Sequence, residues 1–136
     1  MTVSELARRA GVTADTVRHY THSGLLVPRR DERNGYKFYS SDDLTRLVFI
    51  RKARLLGFSL GDVSDILKDS SHGHSPCPRV RNLMAQRLQE ARHKLRDLKK
   101  LQVRMERATA LWATMPDGIP DGNAVCHLIE AIAMED

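Results

Sequence analysis

The sequence predicts a mainly α-helical chain with one small β-hairpin near its start, one very long helix and a short terminal helix. Three observations carry this expectation. Two short, capped helical stretches joined at Gly11-Val12 open the chain. A turn at Asn34-Gly35 is followed by alternating Tyr36, Phe38 and the basic Lys37. From Arg79 to Met115 no Gly or Pro interrupts the chain.

The elements follow in order. In Thr2-Val3-Ser4-Glu5-Leu6-Ala7-Arg8-Arg9-Ala10-Gly11, Thr2 can cap a helix with Glu5 three residues on, and Gly11 stops it. Thr13 can cap a second helix through about Ser23, with Asp15 in its first turn. Two short helices around a Gly-containing turn form a helix-turn-helix pattern. Gly24-Leu25-Leu26-Val27-Pro28 breaks the periodicity, and Arg29 to Tyr39 forms a basic hairpin, a wing. Ser40 or Ser41 caps a helix carrying Leu44, Leu47, Val48, Arg51 and Leu55, which Gly57 ends. Ser59 and Asp62 then make a capping box before Val63, Ile66 and Leu67.

Ser70 to Pro78 is a linker holding His72-Gly73-His74, and Pro78 suits the first position of the helix that follows. A helix from Pro78 to Trp112 would run roughly 50 Å, too long for a core this small to bury. Its apolar positions keep a heptad: Leu88, Leu95, Gln102 and Thr109 in one column, Met84, Ala91, Leu98, Met105 and Trp112 in the other. Arg87, Lys94, Arg96, Lys99, Lys100, Arg104 and Arg107 surround the seam. Such a helix seeks a partner helix, and the expectation is a dimer. After a turn-rich loop, Asn123 can cap a last helix from about Ala124 to Ala133, with Leu128, Ile129 and Ile132 on its apolar side.

Composition narrows the function. The 136 residues include 22 Lys/Arg, 17 Asp/Glu, 41% hydrophobic residues and 5% aromatic ones, giving a net charge of +5. Those values disfavour disorder, and the longest apolar run, Leu47-Val48-Phe49-Ile50, is far short of the ~20 residues of a membrane span. The start of the chain lacks a signal peptide's apolar stretch, and Cys77 and Cys126 alone make no disulfide framework, so a cytoplasmic location is expected. Residues 1–60 hold eleven Lys/Arg against six Asp/Glu, while residues 61–136 hold eleven of each. The whole excess therefore lies in the winged half, as expected where a chain meets a polyanion. No phosphate-binding Gly loop, nucleophile elbow or His-Glu-x-x-His helix suggests an enzyme. A plain coiled-coil adaptor would explain residues 78–112 but not the basic half.

The combination resembles the MerR family of bacterial transcription regulators, in its heavy-metal-sensing branch. The residues that carry the resemblance are Thr2–Gly11, Thr16-Val17-Arg18-His19-Tyr20, Gly24-Leu25-Leu26, the wing Pro28-Arg29-Arg30 with Asn34-Gly35-Tyr36-Lys37-Phe38-Tyr39, Asp43-Leu44-Thr45-Arg46-Leu47 and Leu56-Gly57-Phe58-Ser59-Leu60. One departure is Tyr20-Thr21, where the family usually has Tyr-Tyr and an acidic residue. The resemblance implies a winged helix-turn-helix DNA-binding domain over 1–70, a linker over 71–77, an antiparallel coiled-coil dimerisation helix over 78–112, and a metal-binding-type loop and terminal helix over 113–136. It implies a homodimer on successive major grooves of double-stranded promoter DNA, distorting an overlong spacer so that RNA polymerase can engage. By matched position, Thr13, Thr16 and Arg18 belong to the recognition helix, and Tyr20, Arg30, Tyr36 and Lys37 grip phosphates. For Phe38 and Tyr39, packing beneath the wing is at least as good a reading.

The cysteines point to the effector. Cys77 precedes Pro78 at the head of the long helix, where the helix dipole, Arg79 and Arg81 favour a thiolate. Cys126 stands near the last helix, beside His127. Antiparallel pairing of the long helices would bring one protomer's Cys77 towards the other's C-terminal loop. Thiolate and imidazole select Zn²⁺, Cd²⁺, Pb²⁺ or Hg²⁺. Metal sensors of the resembling family usually carry two loop cysteines, whereas positions 112–125 contain none. A replacement ligand could come from His127, His72, His74, Asp117, Asp121 or Met115. Three effectors stay open: a divalent metal through Cys77 and Cys126, an oxidant or electrophile acting on the thiols, and a small organic molecule.

Overall fold

A computed structural model describes residues 1–134. It is mainly helical, with the elements α1 (Val3–Ala10), α2 (Ala14–His22), β1 (Arg29–Arg30), β2 (Lys37–Phe38), α3 (Ser41–Leu55), α4 (Leu60–Ser71), α5 (Cys77–Trp112) and α6 (His127–Glu130). The first four helix starts are the ones that local chemistry dictates. Thr2 accepts from the Glu5 N–H and Thr13 from the Thr16 N–H, while Ser40 with Asp43 and Ser59 with Asp62 form reciprocal capping boxes. Gly11 ends α1 at φ +72°, donating to the Ala7 and Arg8 carbonyls. Its missing side chain also makes room for Arg51, since a Cβ there would lie 2.7 Å from a guanidinium nitrogen that bonds the Ala10 carbonyl.

The hairpin is short. Arg29 pairs with Phe38 and Arg30 with Lys37, and the intervening loop closes through Gly35 N–H to the Asp31 carbonyl and Asp31 N–H to the Tyr36 carbonyl. Within it the Asn34 side chain accepts from the Tyr36 N–H, a bond that suits an Asn-Gly turn.

Internal contacts gather the chain into two compact units, one from Met1 to Arg87 and one beginning at Leu88. The first unit has two apolar clusters. Leu6, Ala7, Ala10, Val17, Leu26, Tyr39 and Leu47 join α1, α2, the wing and α3. Leu25, Ile50, Ala53, Phe58, Val63 and Ile66 join α3 to α4, with Val80, Leu83 and Met84 of α5 packed against them. Met84, which the heptad places in the coiled-coil seam, is thus partly buried in the first unit: the opening turns of α5 have a face to cover before the seam begins. Arg87, expected beside the seam, instead reaches the Asp62 carboxylate with two bonds of 2.8 and 2.7 Å.

The second unit is α5 from Leu88 onward with the loop and α6. No residue of α5 is fully buried, and Leu95, Leu98 and Met105 are 54%, 62% and 59% exposed. Two sequence expectations need correction. The long helix begins at Cys77, so Pro78 is its second residue; its missing N–H costs nothing there, because the first four helical N–H groups have no partner within the helix. The terminal helix is four residues, not ten, and Cys126 rather than Asn123 precedes it. The reason is that an Asp121 oxygen already accepts from the Asn123 and Ala124 N–H groups, which fixes an Asx-type turn where the helix would have started.

Candidate DNA interface and effector site

In the helix-turn-helix Thr13 caps α2, and Thr16 and Arg18 lie in its opening turns. Thr13 and Thr16 also join through their hydroxyls at 2.9 Å, and Arg18 is oriented by Asp15 at 2.7 Å on an exposed face. Tyr20 lies deeper, half-buried against both apolar clusters, with its ring centroid 5.8 Å from that of His19. The wing brings Arg30 and Lys37 together as direct cross-strand neighbours, with Tyr36 next to them. These three and Gly35 share a shallow groove with Thr2, Val3 and Ser4 at the start of α1. Two cations and a phenol lining one groove form a surface suited to a phosphodiester.

The wing tyrosines divide. Tyr36 is 74% exposed while Tyr39 is 2% exposed, its hydroxyl 2.8 Å from the Thr21 hydroxyl. Thr21, where the chain departs from the resembling pattern, therefore has a structural partner in the core. Phe38, for which packing was as good a reading, is 41% exposed.

Part of the basic excess of the first sixty residues serves the fold. Arg46 donates to the Leu25 carbonyl at 2.6 Å, Arg51 to Ala10 at 3.2 Å and Arg54 to Phe58 at 2.8 Å. Sequence reasoning missed all three: the Leu25 and Ala10 carbonyls lie 21 and 41 residues from their arginines, and the Phe58 carbonyl, four residues from Arg54, is presented only once the chain turns after α3.

At the other end, Cys77 is exposed as the first residue of α5, its N–H directed at the Ser75 hydroxyl. Arg79, expected to support that thiol, is turned instead to Asp69, with bonds of 2.6 and 3.3 Å that hold the Asp69 carboxyl below its ordinary range. His72 and His74 are exposed. Cys126 is half-buried and lines a cleft of about 260 Å³ with Asp117, Gly118, Pro120, Val125 and His127. The His127 Nε2 lies 2.8 Å from the Pro116 carbonyl, and Asp121 is committed to the loop. Met115 is half-buried, its N–H bonded to the Trp112 carbonyl. Among the described residues no three of His, Cys, Asp and Glu gather closely enough within one chain to hold a metal ion.

Comparison with known proteins decides the family. Residues 1–70 match the MerR HTH family regulatory protein model, and residues 44–108 match the MerR DNA-binding model. The chain belongs to the MerR family. Among its relatives, the HTH-type transcriptional regulator ZntR of Escherichia coli (strain K12) is 30% identical over 131 residues, which is 96% of this chain and 90% of that protein. The mercuric resistance operon regulatory protein of Serratia marcescens is 33% identical over 137 residues, or 99% and 89% of the two chains. In fold, the chain is similar to the transcription regulator PbrR691 from Ralstonia metallidurans CH34, solved in complex with lead(II), with a TM-score of 0.75, 22% identity and coverage of 98% and 99%. A MerR protein is a DNA-binding transcriptional regulator, which accounts for the helix-turn-helix and the basic wing together.

Proposed function

We propose that this MerR protein is a homodimeric activator of resistance or efflux genes, switched by a divalent soft metal ion. In this reading the open seam of α5 pairs antiparallel with a second copy, and the two winged heads grip successive major grooves. Thr13, Thr16 and Arg18 face the bases, while Tyr20, Arg30, Tyr36 and Lys37 hold phosphates. Effector binding distorts an overlong promoter spacer so that RNA polymerase engages it.

The observation that carries the metal reading is the placement of the only two thiols at the starts of α5 and α6. Cys77 of one protomer and Cys126 of the other would hold Zn²⁺, Cd²⁺, Pb²⁺ or Hg²⁺, a choice that thiolate softness supports. The nearly full-length relationship to a mercuric resistance regulator supports the same class. His127 is the nearest further donor in sequence. Bound metal would supply a cross-link whose formation depends on dimer geometry.

A second reading, a thiol switch for oxidants or electrophiles, draws on the exposure of Cys77 and on the lack of a three-ligand cluster among the described residues. An anaerobic Cd²⁺ titration of the reduced protein, followed by thiolate-to-metal absorption in the ultraviolet, separates the two. A saturable band lost in both Cys77→Ser and Cys126→Ser supports the shared metal site. Its absence from the unmodified protein overturns that site and leaves the thiol switch.

A further inference from the structure

The segment around Cys126 is tied down by contacts that involve no metal. The indole N–H of Trp112, the last residue of α5, donates to the Leu128 carbonyl at 2.6 Å. One residue earlier, the His127 ring reaches back across the loop to the Pro116 carbonyl at 2.8 Å. A carbonyl oxygen can only accept, so Nε2 is the donor in this contact. The other edge of the ring is packed close to Gly118: a Cβ there would overlap the imidazole at both Nδ1 and Cε1. Gly118 does not have a positive φ, so the requirement there is for space and not for backbone freedom.

We propose that His127 and Trp112 form a metal-independent latch that closes the loop over residues 113–126 onto the end of α5 and positions Cys126, with Gly118 required to seat the imidazole. His127 acts in this latch as a positioning residue, with one ring nitrogen bonded to Pro116 and the ring packed on Gly118. A loop already closed gives up less conformational freedom when an effector arrives. This assignment explains how a segment with one cysteine and a four-residue helix keeps a defined shape. The closure itself stands apart from the metal reading; only its consequence for effector affinity rests on it.

The single tryptophan makes the latch measurable in metal-free protein. Trp112 emission and acrylamide quenching would be compared in the full-length protein, in Gly118→Ala and in His127→Ala. We expect both variants to shift the emission to the red and raise quenching, with the double variant no further changed than either single one. Unchanged emission in both single variants, or additive effects in the double one, overturns the latch. Cadmium then tests the positioning role. Both variants should keep the wild-type ¹¹³Cd resonance while binding about threefold to tenfold more weakly, as the loss of one hydrogen bond implies. A resonance displaced in His127→Ala identifies a ligand and overturns the positioning assignment. If no variant and no wild-type protein binds cadmium, the metal reading fails, and the fluorescence still decides the latch.

Discussion

Arg87 of α5 closes a two-bond fork on Asp62 of α4, Nε to one carboxylate oxygen at 2.8 Å and a terminal nitrogen to the other at 2.7 Å. The same Asp62 is the third residue of its helix and caps it through the Ser59 N–H. One buried carboxylate therefore fastens the start of α4 to α5 while satisfying its own helix terminus. The Arg87 fork is the main reason its pKa falls from 3.8 to about 2, with the Ser59 bonds adding to it and burial opposing it.

A depressed carboxylate stabilises the fold above its unfolded pKa and loses that contribution as pH falls through the folded value. Asp62 should thus contribute about 2 kcal/mol at neutral pH, declining between about pH 4 and pH 2. Asp62→Asn should lower the unfolding midpoint at pH 7 and flatten the acid limb of the stability curve. Denaturant unfolding across that pH range checks it. Asp69, whose pair with Arg79 is more exposed, serves as the control, and Asp69→Asn should leave the unfolding curve nearly unmoved.

What was legible in the sequence is what local chemistry decides. Thr2, Thr13, Ser40 and Ser59 each cap the helix they precede, because the cap oxygen and the N–H that donates to it lie three residues apart. The wing turn and the uninterrupted stretch of α5 are likewise short-range patterns, and α2 follows from its cap. The partners of Asp62, Arg46, Arg51 and His127 were not legible, since they lie eleven to forty-one residues away and are chosen by packing. The last helix failed for a third reason: two capping residues, Asp121 and Asn123, competed within three positions, and Asp121 won the backbone donors.

Tyr36 and Tyr39 should behave oppositely although only two residues separate them. Tyr39→Phe removes a hydroxyl paired with Thr21 in the core and should cost about 1 kcal/mol of stability while leaving DNA affinity nearly intact. Tyr36→Ala touches only the exposed wing and should weaken DNA binding with no change in unfolding midpoint. Paired thermal melts and gel retardation distinguish them. A destabilised Tyr36→Ala would remove the phosphate role from the wing tip.

The α5 seam supplies a test of assembly. Leu98 is 62% exposed in the single chain, a poor state for a leucine in the middle of a heptad. Leu98→Glu should dissociate the dimer at micromolar concentration, as read by sedimentation velocity, and retain the helix content of the first unit. Operator affinity should fall with it, because one winged head alone spans a single half-site. Leu98→Glu that stays dimeric would remove residues 88–112 from the interface.

Arginines placed to hold phosphate and arginines that hold the fold should respond differently to substitution. Arg30 is exposed on the wing beside Lys37, whereas Arg46 spends its guanidinium on the Leu25 carbonyl at 2.6 Å. Each phosphate contact releases counterions, so the dependence of binding on salt counts such contacts. Arg30→Ala should flatten the slope of log affinity against log salt by about one unit for each protomer engaged, and weaken binding to operator and unrelated DNA alike. Arg46→Ala should leave the slope in place and lower stability, since it strands a buried carbonyl and not a phosphate. A salt titration of both variants against unfolding curves resolves the two roles, and an unchanged slope in Arg30→Ala would move the phosphate grip to Lys37 and the start of α1.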